Sequence, residues 1–111
     1  MIDERKLKIK IGVVKRTTKE FDMYKEEVIT ETARYEALVS EKHARAGQQK
    51  AVLAESKGMV ENTFLRLERG LVDLKKAIDE AKDDPVLTLS ATYAEAVALV
   101  PETETKLAEE E

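Results

Sequence analysis

The residue types that most often carry catalysis are scarce in this sequence. It has one histidine and no cysteine, so a zinc site lacks its usual donors. His43 lies beside Lys42 and near Arg45, and we expect it in the last turn of a helix, where a cation is favoured. No glycine-rich phosphate loop is present. The sequence therefore argues against an enzyme, and it predicts neither a metal nor a cofactor.

The charged residues favour solvated helix surfaces over a chemical site. Glu26, Glu27 and Glu31 lie among Lys and Arg at helical neighbour spacings, which is typical of an ion-paired face. A basic cluster near the N-terminus could contact nucleic acid, and it comprises Lys6, Lys8, Lys10, Lys15, Arg16 and Lys19. No aromatic residue interrupts this cluster to stack on bases, and the pI is about 5.2. We therefore predict no nucleic-acid partner.

The composition is that of a helix-rich protein. Charged residues make up 38% of the 111 residues and aromatic residues 5%, with four Gly and two Pro. A β-sandwich or barrel would need more aromatic strands and more turn residues. No apolar run approaches the roughly 18 residues that cross a membrane. The expectation is a soluble intracellular protein with a basic start (+4 over residues 1–20, from seven basic and three acidic residues) and an acidic end.

A helical 4-3 spacing of apolar residues predicts a first helix over about residues 3–45. Its seam comprises Leu7, Ile11, Val14, Thr18, Phe21, Lys25, Val28, Thr32, Tyr35, Val39 and Lys42. The stretch Lys6–Ile11 also alternates with period two, as a strand would, but no second such stretch exists to pair with it. Gly47 follows at the place expected of a glycine that ends a helix.

Two further helices are predicted, over about residues 48–82 and 85–100. The seam of the second comprises Leu53, Lys57, Val60, Phe64, Leu67, Leu71, Leu74, Ile78 and Ala81. Asp84 is expected to cap the third helix and Pro85 to occupy its first position. The third stripe comprises Val86, Leu89, Tyr93, Val97 and Val100. Pro101 should end or kink this helix, leaving an acidic tail over about 102–111 that frays.

Three amphipathic segments with short connections predict an all-α protein. The expected architecture is an elongated, antiparallel, up-down-up three-helix bundle that forms a single domain over residues 1–111. A homo-oligomeric coiled coil is the competing arrangement, but Thr18, Lys25, Thr32 and Lys42 interrupt the first seam. A narrow bundle of this kind has much exposed flank and no obvious deep pocket, which suits holding a large partner.

Two groups of residues resemble tubulin-specific chaperone A, also called tubulin-binding cofactor A. The first group is Lys8–Arg16, followed by Lys19-Glu20 and Tyr24. The second group lies in the predicted second helix and comprises Leu53-Ala54-Glu55-Ser56-Lys57, Met59-Val60, Arg66-Leu67-Glu68 and Asp73-Leu74. Together they cover roughly residues 5–82, and their order and spacing fit the predicted bundle.

The resemblance implies a monomeric, cytoplasmic, cytoskeleton-associated chaperone. Its partner would be β-tubulin, captured as a folding intermediate after release from the cytosolic chaperonin and handed to other tubulin-folding cofactors, without nucleotide or metal. No membrane partner is expected, because the apolar face of the basic N-terminal segment is needed in the bundle core. The residues that match or adjoin the motifs, and are the partner-binding candidates, are Lys15, Arg16, Lys19, Glu55, Ser56, Arg66, Glu68 and Arg69. Intramolecular ion pairing is the other interpretation of these residues. The alternative function is a generic helical adaptor or coiled-coil scaffold with a different protein client.

Overall fold

Helices account for every regular element that the structure describes. The computed structural model describes residues 2–110, which form α1 (Glu4–Ser40), α2 (Ala46–Ala81), a 3₁₀ helix (Leu87–Leu89) and α3 (Ala91–Ala108). The predicted all-α class with three α-helices is confirmed, and Lys6–Ile11 lies in α1 rather than in a strand. Within residues 2–110 no helix combines the length and the apolar content needed to cross a bilayer.

The chain packs as two compact units. Unit 1 comprises Met1–Thr18 and Leu65–Glu111, and unit 2 comprises Lys19–Phe64. Unit 1 therefore contains the start of α1, the end of α2 and all of α3, whereas unit 2 contains only the end of α1, the start of α2 and the turn between them.

All three helices contact one another in unit 1. The Thr92 hydroxyl of α3 donates a hydrogen bond to the Glu4 carboxylate of α1 over 2.8 Å. A Cβ placed on Gly70 of α2 would lie 3.6 Å from methyl carbons of Val13 and Val14 of α1. The buried side chains of the three helices are Leu7, Ile11, Val14, Thr17, Leu67, Leu71, Leu74, Ala77, Ala81, Thr92, Ala96, Leu99, Thr103 and Leu107.

The turn between α1 and α2 lies earlier than the sequence predicts. Two hydrogen bonds end α1: the His43 N–H donates to the Leu38 carbonyl over 2.9 Å, and the Lys42 N–H to the Val39 carbonyl over 3.0 Å. This is the Schellman pattern, whose usual glycine is replaced here by Lys42 with a φ of 54°. Gly47 has no positive φ and lies inside α2, so its prediction as the helix-ending glycine is wrong. The predicted extension of α1 to residue 45 is also wrong, because α1 ends at Ser40.

The third helix begins later than predicted, because Asp84 caps a turn and not α3. The Asp84 carboxylate accepts the N–H groups of Val86 and Leu87 over 3.0 and 3.1 Å, which leads into the 3₁₀ helix. Ser90 is the N-cap of α3, since its hydroxyl accepts the Tyr93 N–H over 3.1 Å. A different stripe of α3 faces the core, and it comprises Thr92, Ala96, Leu99, Thr103 and Leu107. The prediction that Val86 and Leu89 belong to the apolar stripe of the third helix is wrong, because these side chains are 81% and 88% exposed.

Pro101 lies inside α3 and does not end it. Proline removes one backbone donor and disturbs the preceding turn, yet α3 continues to Ala108. The reason is burial: Leu99, Thr103 and Leu107 lie on one face at helical spacing and all three are buried. The prediction that the helix stops at residue 100, with a frayed tail from residue 102, is therefore wrong for residues 102–108.

Unit 2 is a hairpin of two helices with a thin core. Its fully buried side chains include Phe21 of α1 and Thr63 of α2, with Leu53 at 7% exposure. The Gln49 side-chain amide donates to both the backbone carbonyl and the carboxylate of Glu31, which joins the two helices beyond the core. Helix length explains the difference between the units, because α3 has 18 residues whereas α1 has 37 and α2 has 36.

Candidate functional site

The eight predicted partner-binding residues divide between the two units. Lys15, Arg16, Arg66, Glu68 and Arg69 belong to unit 1, where all but the half-buried Glu68 are exposed. The three that belong to unit 2 are Lys19, Glu55 and Ser56, of which Ser56 is half-buried and the other two are exposed.

Two of the basic candidates make contacts within unit 1. The Lys15 ammonium pairs with the Glu95 carboxylate of α3, and each side chain remains about half exposed. The Arg16 guanidinium folds back along its own helix, since a Cβ placed on Gly12 would lie 3.0 Å from Arg16 Nη1. An exposed ion pair such as Lys15–Glu95 contributes about 0.2–1 kcal/mol at most. These contacts hold the side chains loosely and leave both available to an incoming surface.

Glu68 and Arg69 line an open groove on unit 1. This Arg69 groove has a volume of about 430 Å³ and is completed by Leu65, Val72 and Asp73. Leu65 and Val72 are about half exposed, so the groove has an apolar component. Its charged groups are one guanidinium and two carboxylates, so the groove favours neither a positively nor a negatively charged ligand.

A second groove on unit 1 lies between the start of α1 and the end of α2. This Ile9 groove has a volume of about 500 Å³, and its lining residues are Ile2, Lys6, Ile9, Lys10, Asp73, Lys76, Ala77 and Glu80. Its three ammonium groups are opposed by two carboxylates. It is therefore also a site of mixed charge.

Unit 2 carries a groove of different character, between the middle of α1 and the start of α2. This Ile29 groove has a volume of about 330 Å³ and is lined by Lys25, Val28, Ile29, Lys57 and Val60. Three aliphatic side chains and two ammonium groups line it, with no carboxylate among the lining residues. Ile29 is 70% exposed, which is high for an isoleucine beside other aliphatic side chains.

The Lys25 side chain is held in place at the edge of the Ile29 groove. Its ammonium lies 4.8 Å from the centre of the Phe21 ring and 3.8 Å from the Asp22 carboxylate. Phe21 in turn packs at a tilt against Phe64, with ring centroids 6.0 Å apart. A cation over an aromatic face gains about 0.5–1 kcal/mol at a partly exposed site. The buried Phe21, packed against the half-buried Phe64, therefore helps to hold a positive charge beside the apolar surface.

The sequence did not identify the Ile29 groove, although its pattern was visible. Lys25, Val28 and Ile29 have the i, i+3, i+4 spacing that places them on one helix face, and Lys57 and Val60 have the i, i+3 spacing. In the sequence Lys25 and Lys57 are interruptions of two apolar seams. In the structure they flank the part of those seams that unit 2 leaves open.

The one histidine of the sequence makes a local hydrogen bond in the turn that follows α1. His43 lies in the turn after α1, not in its last turn as predicted, and its Nδ1 accepts the Arg45 N–H over 3.0 Å. At the end of α2 the hydrogen bond and charge of Asp79 raise the pKa of the exposed Lys82, with an Nζ–Oδ1 distance of 2.9 Å. No group of histidine and carboxylate side chains in the described part of the chain is arranged to hold a metal ion.

Comparison with known proteins gives one consistent result. The family model for Tubulin binding cofactor A matches residues 3–100. Tubulin-specific chaperone A of Rattus norvegicus and of Homo sapiens are each 35% identical to the chain over 81 residues, 71% of this chain and 75% of theirs. Tubulin-folding cofactor A of Arabidopsis thaliana is 39% identical over 82 residues, 71% of this chain and 72% of its own. No solved structure matches significantly.

Proposed function

The chain belongs to the Tubulin binding cofactor A family, and we propose on that premise that it captures β-tubulin folding intermediates. In this proposal it acts in the cytoplasm, after the cytosolic chaperonin releases the subunit, and it needs no nucleotide. It then hands the subunit to other tubulin-folding cofactors. The family match over residues 3–100 is the observation that carries the proposal.

The surface of the chain is compatible with this task. A holding chaperone must cover surface that would otherwise aggregate, yet it must bind loosely enough to release its client. Open grooves with aliphatic linings and charged rims meet this requirement, because the apolar contact supplies affinity and the charges act mainly on the association rate. The three grooves described above have volumes of about 330–500 Å³, and each combines aliphatic and charged side chains.

Native gel electrophoresis tests directly whether the chain binds β-tubulin. Radiolabelled β-tubulin, newly released by purified chaperonin, is mixed with the purified chain at micromolar concentration in the absence of added nucleotide. We expect the label to move as a 1:1 complex that weakens as salt rises, because charged rims contribute to association. Labelled α-tubulin in a parallel lane tests β-specificity. Unchanged migration of β-tubulin would contradict the proposal.

A generic helical adaptor or coiled-coil scaffold with another client is the competing function. A scaffold built on heptads should form a dimer or a larger assembly, whereas the proposal expects a monomer. Light scattering of the isolated chain separates the two. A second comparison uses charge reversal at Lys15 and Arg16, both exposed in unit 1. A salt-sensitive tubulin binder should lose association rate in these variants, and a structural rod should not.

A further inference from the structure

The apolar seam of unit 2 is only partly covered. Phe21 is the last side chain of α1 that is fully buried, and after it Val28, Tyr35 and Leu38 are half-buried. On α2, Met59 and Val60 are also half-buried. In unit 1 the corresponding seam is sealed by the buried side chains of α3. Because all of α3 belongs to unit 1, unit 2 presents a seam with only two helices to cover it.

The charges around this seam distinguish it from the grooves of unit 1. The Ile29 groove is lined by two ammonium groups and three aliphatic side chains, without a lining carboxylate. The Ile9 and Arg69 grooves each contain carboxylates from α2, including Asp73 in both. Asp22 pairs with Lys25 at the edge of the Ile29 groove and offsets part of its charge. The lining itself is nevertheless wholly positive, so of the three grooves this one calls most clearly for negative charge on a partner.

The groove is also preorganised for binding. The Phe21 ring and the Asp22 carboxylate hold the Lys25 ammonium in place, so less side-chain entropy is lost when it pairs with a partner. Val28 and Val60 are β-branched side chains on helices, which occupy few rotamers. The surface that meets a partner is thus largely formed beforehand.

We propose that the Ile29 groove docks a segment of β-tubulin that presents aliphatic side chains beside carboxylates. Ile29 supplies the central apolar contact, and Lys25 and Lys57 pair with the carboxylates on either side. The inference rests on the proposed function and adds to it the surface and the chemistry of recognition. Nucleic acid is a poor occupant, because no aromatic side chain lines the groove to stack on bases.

Ile29→Asp is the decisive substitution. Since Ile29 is 70% exposed, an aspartate there leaves the fold intact but removes the apolar contact and repels a carboxylate. We expect the dissociation constant for newly released β-tubulin to rise by at least about tenfold. Met23→Asp is the matched control, because Met23 is a large apolar residue of the same helix that is 48% exposed and lines none of the three grooves. We expect the control to bind within about twofold of the unmodified chain.

A second pair of variants tests the charge. Lys57→Glu reverses an exposed ammonium of the groove, and Lys50→Glu reverses an exposed ammonium of α2 outside its lining. We expect Lys57→Glu to weaken binding by about three- to tenfold at low salt, and the difference to shrink as salt rises. Lys50→Glu should have a smaller effect. Circular dichroism and urea unfolding verify that all four variants remain folded.

The outcomes separate this inference from the proposed function. If the unmodified chain binds β-tubulin and Ile29→Asp binds equally well, the groove is not the docking surface although the proposed function stands. If Met23→Asp weakens binding as much as Ile29→Asp, the loss is not specific to the groove and the inference fails. If the unmodified chain is a dimer that Ile29→Asp converts to a monomer, a second copy occupies the groove and the inference fails. If the unmodified chain does not bind β-tubulin, both proposals fail together.

Discussion

Replacing Lys42 with glycine should stabilise the protein. Lys42 adopts a φ of 54° at the end of α1, a left-handed conformation that costs an ordinary residue about 1–2 kcal/mol. Glycine adopts it without strain but loses about 0.4–1 kcal/mol through the greater freedom of the unfolded chain. The difference predicts a gain of about 0.5–1 kcal/mol for Lys42→Gly. The exposed Lys42 makes no buried contact that the substitution would remove.

Urea unfolding followed by circular dichroism measures this gain. With an unfolding entropy near 2.1 cal/mol/K per residue, a gain of this size also raises Tm by about 2–4 °C. Gly47→Ala is the matched control. Gly47 lies in α2 with no atom within 4 Å of an added Cβ, so alanine should be neutral or stabilise by up to about 1 kcal/mol. Destabilisation by Gly47→Ala, with no gain from Lys42→Gly, would refute the position of the turn.

Three further substitutions test the helices. Leu107→Ala should lower the free energy of unfolding by about 2 kcal/mol because Leu107 is 9% exposed, whereas Leu89→Ala should change it by less than about 0.5 kcal/mol because Leu89 is 88% exposed; equal values from urea unfolding would contradict the packing of α3. Pro101→Ala should stabilise α3 by up to about 3 kcal/mol, since it restores a backbone donor inside the helix; a loss of stability would show that the proline is compensated locally. Gly58→Ala should raise stability by about 1 kcal/mol, because nothing lies within 4 Å of the added Cβ; thermal unfolding reveals a clash if Tm falls.

The long apolar seams were predictable from the sequence, and the helix ends were not. Leu7, Ile11, Val14 and Phe21 of the first seam are all buried as their spacing indicates. Predictions of helix ends from single residues were wrong where tertiary packing outweighs the local preference of the residue. Burial of Leu107 and its neighbours extends α3 past Pro101, so the proline penalty is overcome.

The residues that cap the helices were also predicted wrongly, because residue type alone does not locate a cap. Gly47, Asp84 and Pro85 have the residue types of helix termini, but the backbone ends α1 at a left-handed lysine and starts α3 at the Ser90 cap. Residue type gives only the tendency to cap, while the hydrogen bonds that complete a cap depend on where the packed face begins. The buried stripe of α3, which includes Thr92, Ala96 and Leu99, lies one position away from the predicted stripe at Tyr93, Val97 and Val100.

The candidate site could likewise be predicted only in part from the sequence. Family motifs identify charged residues such as Lys15 and Arg69 as candidates, and the structure places them on exposed flanks of unit 1. Lys25 lies in no family motif, and Lys57 lies in one but was not among the partner-binding candidates. In the sequence both interrupt an apolar helix seam. Their significance depends on the length of α3, which is 18 residues, because only a covered seam would make a lysine there unfavourable.

Carbodiimide cross-linking of the complex with β-tubulin, read by mass spectrometry, tests the account most directly. This reagent joins an ammonium to a carboxylate in direct contact, so it reports the partner and the surface together. We predict cross-links from Lys57 and Lys25, the two ammonium groups of the Ile29 groove, to carboxylates of β-tubulin. Cross-links confined to Lys10 and Lys76 of the Ile9 groove, or no cross-linked product with β-tubulin, would contradict it.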